Sequence, residues 1–169
     1  MTKITENRHV LTMLVENQPG VLSRIVGLFS GRGYNIESLC VAPSFEEHIS
    51  RITLVTTGTT PIIEQIMKQL RKLINVVKVR DVTSQPSIQR EMALICVIAK
   101  SENRAEILRI ADIFRCKIVD VGSEHYTLEA VGHEDKLEAL ISTLKPMGIR
   151  KIARTGPVAL FRESGIGKK

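Results

Sequence analysis

Tryptophan is missing from this chain, and its 169 residues include only two tyrosines and four phenylalanines. Few rings are therefore available for bases to stack on, so a single-strand nucleic-acid groove has little to be built from. The net charge is +6 at neutral pH with an isoelectric point near 9.4. The basic residues come in ones and twos among acids, with no run of five or more, which reads as a solvated surface and not a phosphate track. No apolar run reaches the roughly 18 residues that a membrane-spanning helix needs. The first residues, Met1 to Glu6, lack an apolar core segment, which argues against a secretory signal. The cysteines are three, Cys40, Cys96 and Cys116, far apart and odd in number. That argues against a closed disulfide framework, and a reducing cytoplasm is the expected location.

Catalytic signatures are missing too. The chain contains no G-x-S-x-G, no G-x-x-x-x-G-K-[ST], no G-x-G-x-x-G and no H-E-x-x-H. Gly31-Arg32-Gly33 reads as a helix stop. Glu46-Glu47-His48 reads as a solvated loop, because three consecutive residues of an extended chain cannot face one point. Cys40 reads as a small core residue, and His9 and His125 as satisfied polar residues on strands. No metal-ligating spacing occurs among His9, His48, His125 and His133.

What is present is a repeated order of strands and helices. His9 to Glu16 is apolar on both alternations, as in a strand covered on both faces. Leu22, Ile25, Val26 and Phe29 recur at helical spacing. Tyr34 to Val41 and Ile49 to Thr56 read as strands, and Thr60-Pro61 as the start of a helix with Ile62, Ile63, Ile66, Met67, Leu70, Leu73 and Ile74 along its apolar stripe. Val76 to Val82 closes the set. After the polar Thr83-Ser84-Gln85-Pro86-Ser87 the order repeats more loosely. Met92 to Ala99 reads as a strand, and Ser101 as the cap of a helix with Ile107, Leu108, Ala111 and Phe114 inward. Two short strands, Lys117 to Val121 and His125 to Val131, come next. A helix on Leu137, Leu140, Ile141 and Leu144 and a strand at Ile149 to Ala153 complete the repeat. Gly156-Pro157 turns the chain into Val158 to Phe161, and the tail Arg162 to Lys169 is expected to fray.

The expected fold class is therefore α+β: two tandem ferredoxin-like βαββαβ units. The first occupies 1–83, a linker 84–89 and the second 90–169. Each unit makes a four-stranded antiparallel sheet with both helices on one face. The first strand is apolar on its other face too, at Val10 and Leu14, so that face also needs cover, and a partner chain is expected to supply it.

The segment richest in chemical information is Asn17-Gln18-Pro19-Gly20-Val21-Leu22, followed by Gly33-Tyr34-Asn35-Ile36-Glu37-Ser38. A tight turn that feeds a helix presents free N–H groups and the positive end of the helix dipole, which suits a carboxylate. Gly20 lets a ligand approach the backbone closely. Asn17 and Asn35 offer carbonyl oxygens to an ammonium and N–H groups to a carboxylate. From spacing alone, an ordinary turn is the simpler reading of Asn-x-Pro-Gly.

The runs Val15 to Arg24 and Gly27 to Leu39 resemble the small, regulatory subunits of acetolactate (acetohydroxyacid) synthase. Their first unit is an ACT domain, a βαββαβ amino-acid sensor. Glu64 to Leu73, Arg90 to Ile95, Ile113-Phe114-Arg115 and Ala153-Arg154-Thr155-Gly156 are similar to the same family. The resemblance implies a chain without its own active site. It would activate a separate catalytic (large) subunit, which carries thiamine diphosphate, Mg and FAD. It would also confer feedback inhibition by valine in branched-chain amino-acid biosynthesis. The first unit would bind the effector and dimerise; the second would serve activation. The effector would lie between two ACT domains, at Asn17, Gly20 and Asn35, with Gln18, Pro19, Val21 and Ile36 lining the site. No catalytic residue, metal, cofactor, nucleic acid or membrane is expected of the chain itself. The rival reading, an amino-acid-responsive transcriptional regulator with an ACT-type sensor, needs a helix-turn-helix. No pair of helices here is joined by so short a turn.

Overall fold

The computed structural model describes residues 7–162; the tail expected to fray lies outside the described residues from residue 163 on. The first unit runs β1 (Asn7–Glu16), α1 (Val21–Ser30), β2 (Ser38–Pro43), β3 (Ile49–Gly58), α2 (Thr60–Leu70) and β4 (Val76–Asp81). Its sheet is antiparallel in the order β2-β3-β1-β4. The second runs β5 (Ser87–Ile98), α3 (Arg104–Ile113), β6 (Lys117–Val121), β7 (His125–Gly132), α4 (Glu134–Leu144) and β8 (Ile149–Arg154), in the order β6-β7-β5-β8. The α+β, ferredoxin-like reading holds for both.

Alternation and helical periodicity build each core. Leu11, Met13 and Val15 of β1 and Ile52 and Leu54 of β3 point to the helix side of the first sheet. There they meet Val21, Ile25 and Phe29 of α1 and Ile63, Ile66 and Leu70 of α2. Ile25 and Phe29 of α1 face inward as expected, but Val21 takes the place expected of Leu22. The helix begins at Val21, which is buried, and Leu22 is 40% exposed. In the second unit Ala93, Ile95 and Val97 pack with Leu128 against Ile107, Ile110, Ala111, Leu137, Leu140 and Leu144. Leu108 is partly exposed and Ile110 takes its place inward.

Several ends differ from expectation for local reasons. Thr59, not Thr60, stands at the cap of α2, and no side-chain cap bond forms there. Asn103, not Ser101, precedes α3 and instead donates its side-chain amide to the Ile98 carbonyl at 3.1 Å. Ile74, beyond the end of α2, is almost fully exposed. β2 begins at Ser38, because Tyr34 is held back by its N–H bond to the Phe29 carbonyl at 3.0 Å.

The boundaries differ as well. Among the described residues the compact units are 7–88 with 158–162, and 89–157. The expected linker 84–89 contains the start of β5, and the expected second domain 90–169 gives up its end. A ninth strand, β9 (Val158–Phe161), pairs with β5 and belongs to the first unit. Ala159, 2% exposed, closes over Val10, Val55 and Val82 on the face opposite the helices. Its N–H donates to Thr53 Oγ1 at 3.4 Å. The chain therefore covers by itself part of the apolar face that was expected to need a partner. Val10 is under β9, and only Leu14 stays half-buried.

The second unit buries one charge. Glu91, with 4% of its side chain exposed, accepts two hydrogen bonds from Arg154, from Nε at 2.7 Å and Nη2 at 2.9 Å. The hydrogen bonds to Glu91 hold the Arg154 guanidinium protonated well above its ordinary range. A raised value on a cation stabilises at all pH values below the ordinary arginine range and is lost only above it. The pair is therefore constant across neutral pH. The three cysteines are free thiols, and burial pushes the Cys116 thiol above its ordinary value. Among the described residues no helix is long and apolar enough to cross a membrane.

If β9 covers the first sheet, Ala159→Asp buries a carboxylate over three valines. The expected loss is about 2–4 kcal/mol of unfolding free energy, read from urea denaturation. A midpoint equal to that of the native chain would mean that the face is not covered.

Candidate functional site

The turn before α1 is fixed by its backbone. Val21 donates its N–H to the Gln18 carbonyl at 3.4 Å, and Pro19 and Gly20 are the two central residues. Gly20 has φ 84° and ψ −10°, the left-handed geometry that the third residue of a type II turn requires. Proline before it presets the preceding φ, so Pro-Gly is the natural filling. Gly20 then caps α1 through its carbonyl, which accepts from Arg24 N–H at 3.0 Å. Among the described residues the N–H groups of Gly20, Leu22 and Ser23 find no acceptor in the chain. They and the end of the helix dipole face outward from an exposed turn, as an anion site requires.

Four further hydrogen bonds hold the turn. Asn17 N–H donates to the His48 carbonyl at 2.7 Å, and His48 sits at φ 60° to present it. Asn75 donates its side-chain amide to Glu16 Oε2 at 2.6 Å and accepts from Arg24 Nη1 at 2.7 Å. Its carbonyl accepts from Glu16 N–H at 2.9 Å. Asn75 thus ties the turn to the loop between α2 and β4. Sequence reasoning missed Glu16, Arg24, His48 and Asn75 because their pairing joins positions 31 to 59 residues apart, and nothing local marks it.

The second segment lies past the other end of α1. Gly33, not Gly31, takes the left-handed conformation, with φ 70°. Tyr34 packs its ring edge-on against Phe29, centroids 6.2 Å apart. The Asn35 carbonyl accepts from Thr56 Oγ1 at 2.6 Å, which leaves its side-chain amide exposed and without a partner among the described residues. Ile36 is half-buried against the core.

The expected site residues therefore separate into two groups. Asn17, Gln18, Pro19 and Gly20 are exposed together at one end of α1; Asn35 and Ile36 are at the other. Val21 turns its side chain into the core. A ten-residue helix is about 15 Å long, so one copy of the chain does not bring the two asparagines to one small ligand. Among the described residues no group of three His, Cys, Asp or Glu side chains could hold a metal. His9 Nδ1 lies 2.8 Å from Asp81 Oδ2, and His125 Nε2 3.1 Å from Asp120 Oδ2.

A βαββαβ unit with an open turn before its first helix, followed by a second such unit, defines a two-unit protein of the ACT-like class. The description "AHAS small subunit-like ACT domain" fits residues 11–78, and "Small subunit of acetolactate synthase" fits residues 90–163. The acetolactate synthase small subunit of Aquifex aeolicus is 50% identical over 160 residues, 94% of this chain and 83% of that one. The probable small subunit of Archaeoglobus fulgidus is 46% identical over 155 residues, 92% and 97% of the two chains. The crystal structure of the small subunit from Thermotoga maritima superposes with a TM-score of 0.84 at 40% identity, covering 94% of this chain and 99% of that one. The chain belongs to the acetolactate synthase small-subunit family, whose role is that of a regulatory subunit.

Gly20→Ala tests the turn. An added Cβ meets nothing within 4 Å, so crowding is not at issue. The left-handed φ alone should cost about 1–2 kcal/mol, measurable by urea unfolding. An unchanged or higher stability would mean that Gly20 is not held left-handed.

Proposed function

We propose that the chain binds a branched-chain amino acid, valine foremost, at a site completed by a second copy, and so sets the activity of a catalytic subunit. One observation carries this reading: Asn17 with the free N–H groups, and Asn35, stand at opposite ends of a helix about 15 Å long. A zwitterion can use both only if another chain supplies one of them. The uncharged amides of Asn17 and Asn35 and the helix N-terminus suit a ligand of no net charge.

Homodimerisation through the first unit has different support from that expected at first. β9 covers part of the open face, so the burden shifts to the sheet edge. β2 is an edge strand that leads directly from Asn35, and its Val41, Ala42 and Pro43 are exposed. An edge strand leaves backbone donors and acceptors for another chain to pair with. Thiamine diphosphate, Mg and FAD belong to the catalytic partner on this reading, and the chain alone makes no acetolactate from pyruvate.

Sedimentation of the full chain at micromolar concentration with valine present should give a dimer or larger. A monomer under those conditions contradicts the proposed site.

The sharper test is Gly20→Asp. The substitution puts a negative charge where the effector's carboxylate would meet backbone N–H groups. An aspartate cap prefers extended geometry, which the left-handed φ denies it, so a loss of about 1–2 kcal/mol in stability is expected and no capping gain. Reconstituted with its catalytic subunit, the variant should activate normally and resist valine. Feedback is a coupling free energy, typically about 1–3 kcal/mol or 5–150-fold, and it vanishes when the ligand no longer distinguishes the states. An unchanged inhibition midpoint in an acetolactate assay would remove Gly20 from the site.

A further inference from the structure

The face of the first sheet opposite its helices carries three cations that form no ion pair among the described residues. The register sets Arg51 and Lys78 in one cross-strand row, on either side of Leu14. Arg80 stands beside Thr12 in the next row of the same face. With strands about 4.8 Å apart, Arg51 and Lys78 are about 10 Å apart at the backbone, and Arg80 is about 7 Å along β4 from Lys78. Side chains of this length can converge on one point. They line a hollow of about 290 Å³.

Among the described residues none of the three cations forms an ion pair, whereas Arg8, Arg150 and Arg154 all do. Glu46 is the one carboxylate on the hollow, so the cations outnumber it. The remaining lining is Thr12 and Met13 with three apolar side chains, Leu14 and Leu160 and Phe161 of β9. Arg80 is not free to swing away, because its guanidinium carbon lies 4.7 Å from the centre of the Phe161 ring. Phe161 in turn is positioned by β9, anchored two residues earlier at the buried Ala159.

Three like charges that outnumber the single carboxylate beside them repel one another, and a bound anion relieves that repulsion. Two guanidiniums and an ammonium approach from two strands separated by a third. That arrangement fits the oxygens of a multiply charged tetrahedral group better than a planar carboxylate. The hollow is concave and of small-molecule size. We propose that it binds a small phosphate-bearing organic anion, with the phosphate among Arg51, Lys78 and Arg80 and an apolar body against Leu160 and Phe161. The site lies on the face of the sheet away from α1 and does not rest on the effector reading above.

The test is isothermal titration of the full-length chain with phenyl phosphate and with inorganic phosphate, at ionic strength matched with sodium chloride. Saturable binding of phenyl phosphate, at least tenfold tighter than inorganic phosphate, is expected. Arg51→Gln and Lys78→Gln should each weaken it by about tenfold. Without ligand both variants should unfold at a temperature no lower than the native chain, since each removes a repelling charge. That readout separates a lost site from a lost fold. Heats no larger than those of the salt blank, equal affinity for the two phosphates, or full affinity in the Arg51→Gln/Lys78→Gln double variant would overturn the proposal. So would a double variant that no longer activates the catalytic subunit while the native chain binds neither phosphate, because the hollow would then seat an acidic segment of that subunit.

Discussion

The length of α1, fixed by a left-handed glycine before it and another after it, governs the candidate site. Gly20 at φ 84° ends a type II turn and releases the chain into the helix; Gly33 at φ 70° ends it. Between them Val21, Ile25 and Phe29 dock on the sheet and leave no freedom to slide. The two asparagines that the sequence couples are thereby kept one helix length apart. A longer turn or a missing stop would move them relative to the core, and a ligand shared between two copies would lose one of its partners.

Elements with a strong local pattern were readable from the sequence. Alternation in Leu11, Met13 and Val15 and the 3.6-residue recurrence in Ile63, Ile66 and Leu70 each reflect one buried face, and the face is decided by nearest neighbours in the chain. The Pro19-Gly20 turn was equally plain, because few residues fill a type II turn. What failed was set at a distance. The first inward residue of α1 depends on where Gly20 releases the helix, so Val21 replaced Leu22 while Ile25 and Phe29 stayed inward. β9 has four residues and no periodicity of its own to show where it belongs; its place follows from the pocket formed by Val10, Val55 and Val82. Hydrophobicity on the second face of β1 was visible, but not that residues 158–161 would cover it.

The two sheets handle burial of charge in different ways. In the second unit Glu91 is nearly sealed, and Arg154 meets it with two hydrogen bonds while also reaching Glu138. Removal of either partner would strand a charge, so the pair is a strict local requirement even though its net contribution against an apolar pair is small. In the first unit Arg51, Lys78 and Arg80 stay at the surface with their charges open. Solvent screens them, so the fold tolerates the repulsion. The first arrangement fixes structure; the second leaves electrostatic free energy available to a ligand.

The contacts around the candidate effector turn explain how occupancy there could be felt elsewhere. Asn17 is bonded through its backbone to His48 in the β2–β3 loop, and Asn75 joins Glu16 and Arg24 to the loop before β4. The turn thus cannot shift without pulling on two loops at the same end of the sheet. Those loops carry Phe45 and Ile74, two large apolar side chains almost wholly in solvent. A ligand acts on a distant state only through the difference in its affinity for the two states. A turn tied by four backbone and side-chain bonds to neighbouring loops would convert a small displacement at Gly20 into a changed surface at that end. A freely hinged turn would absorb it.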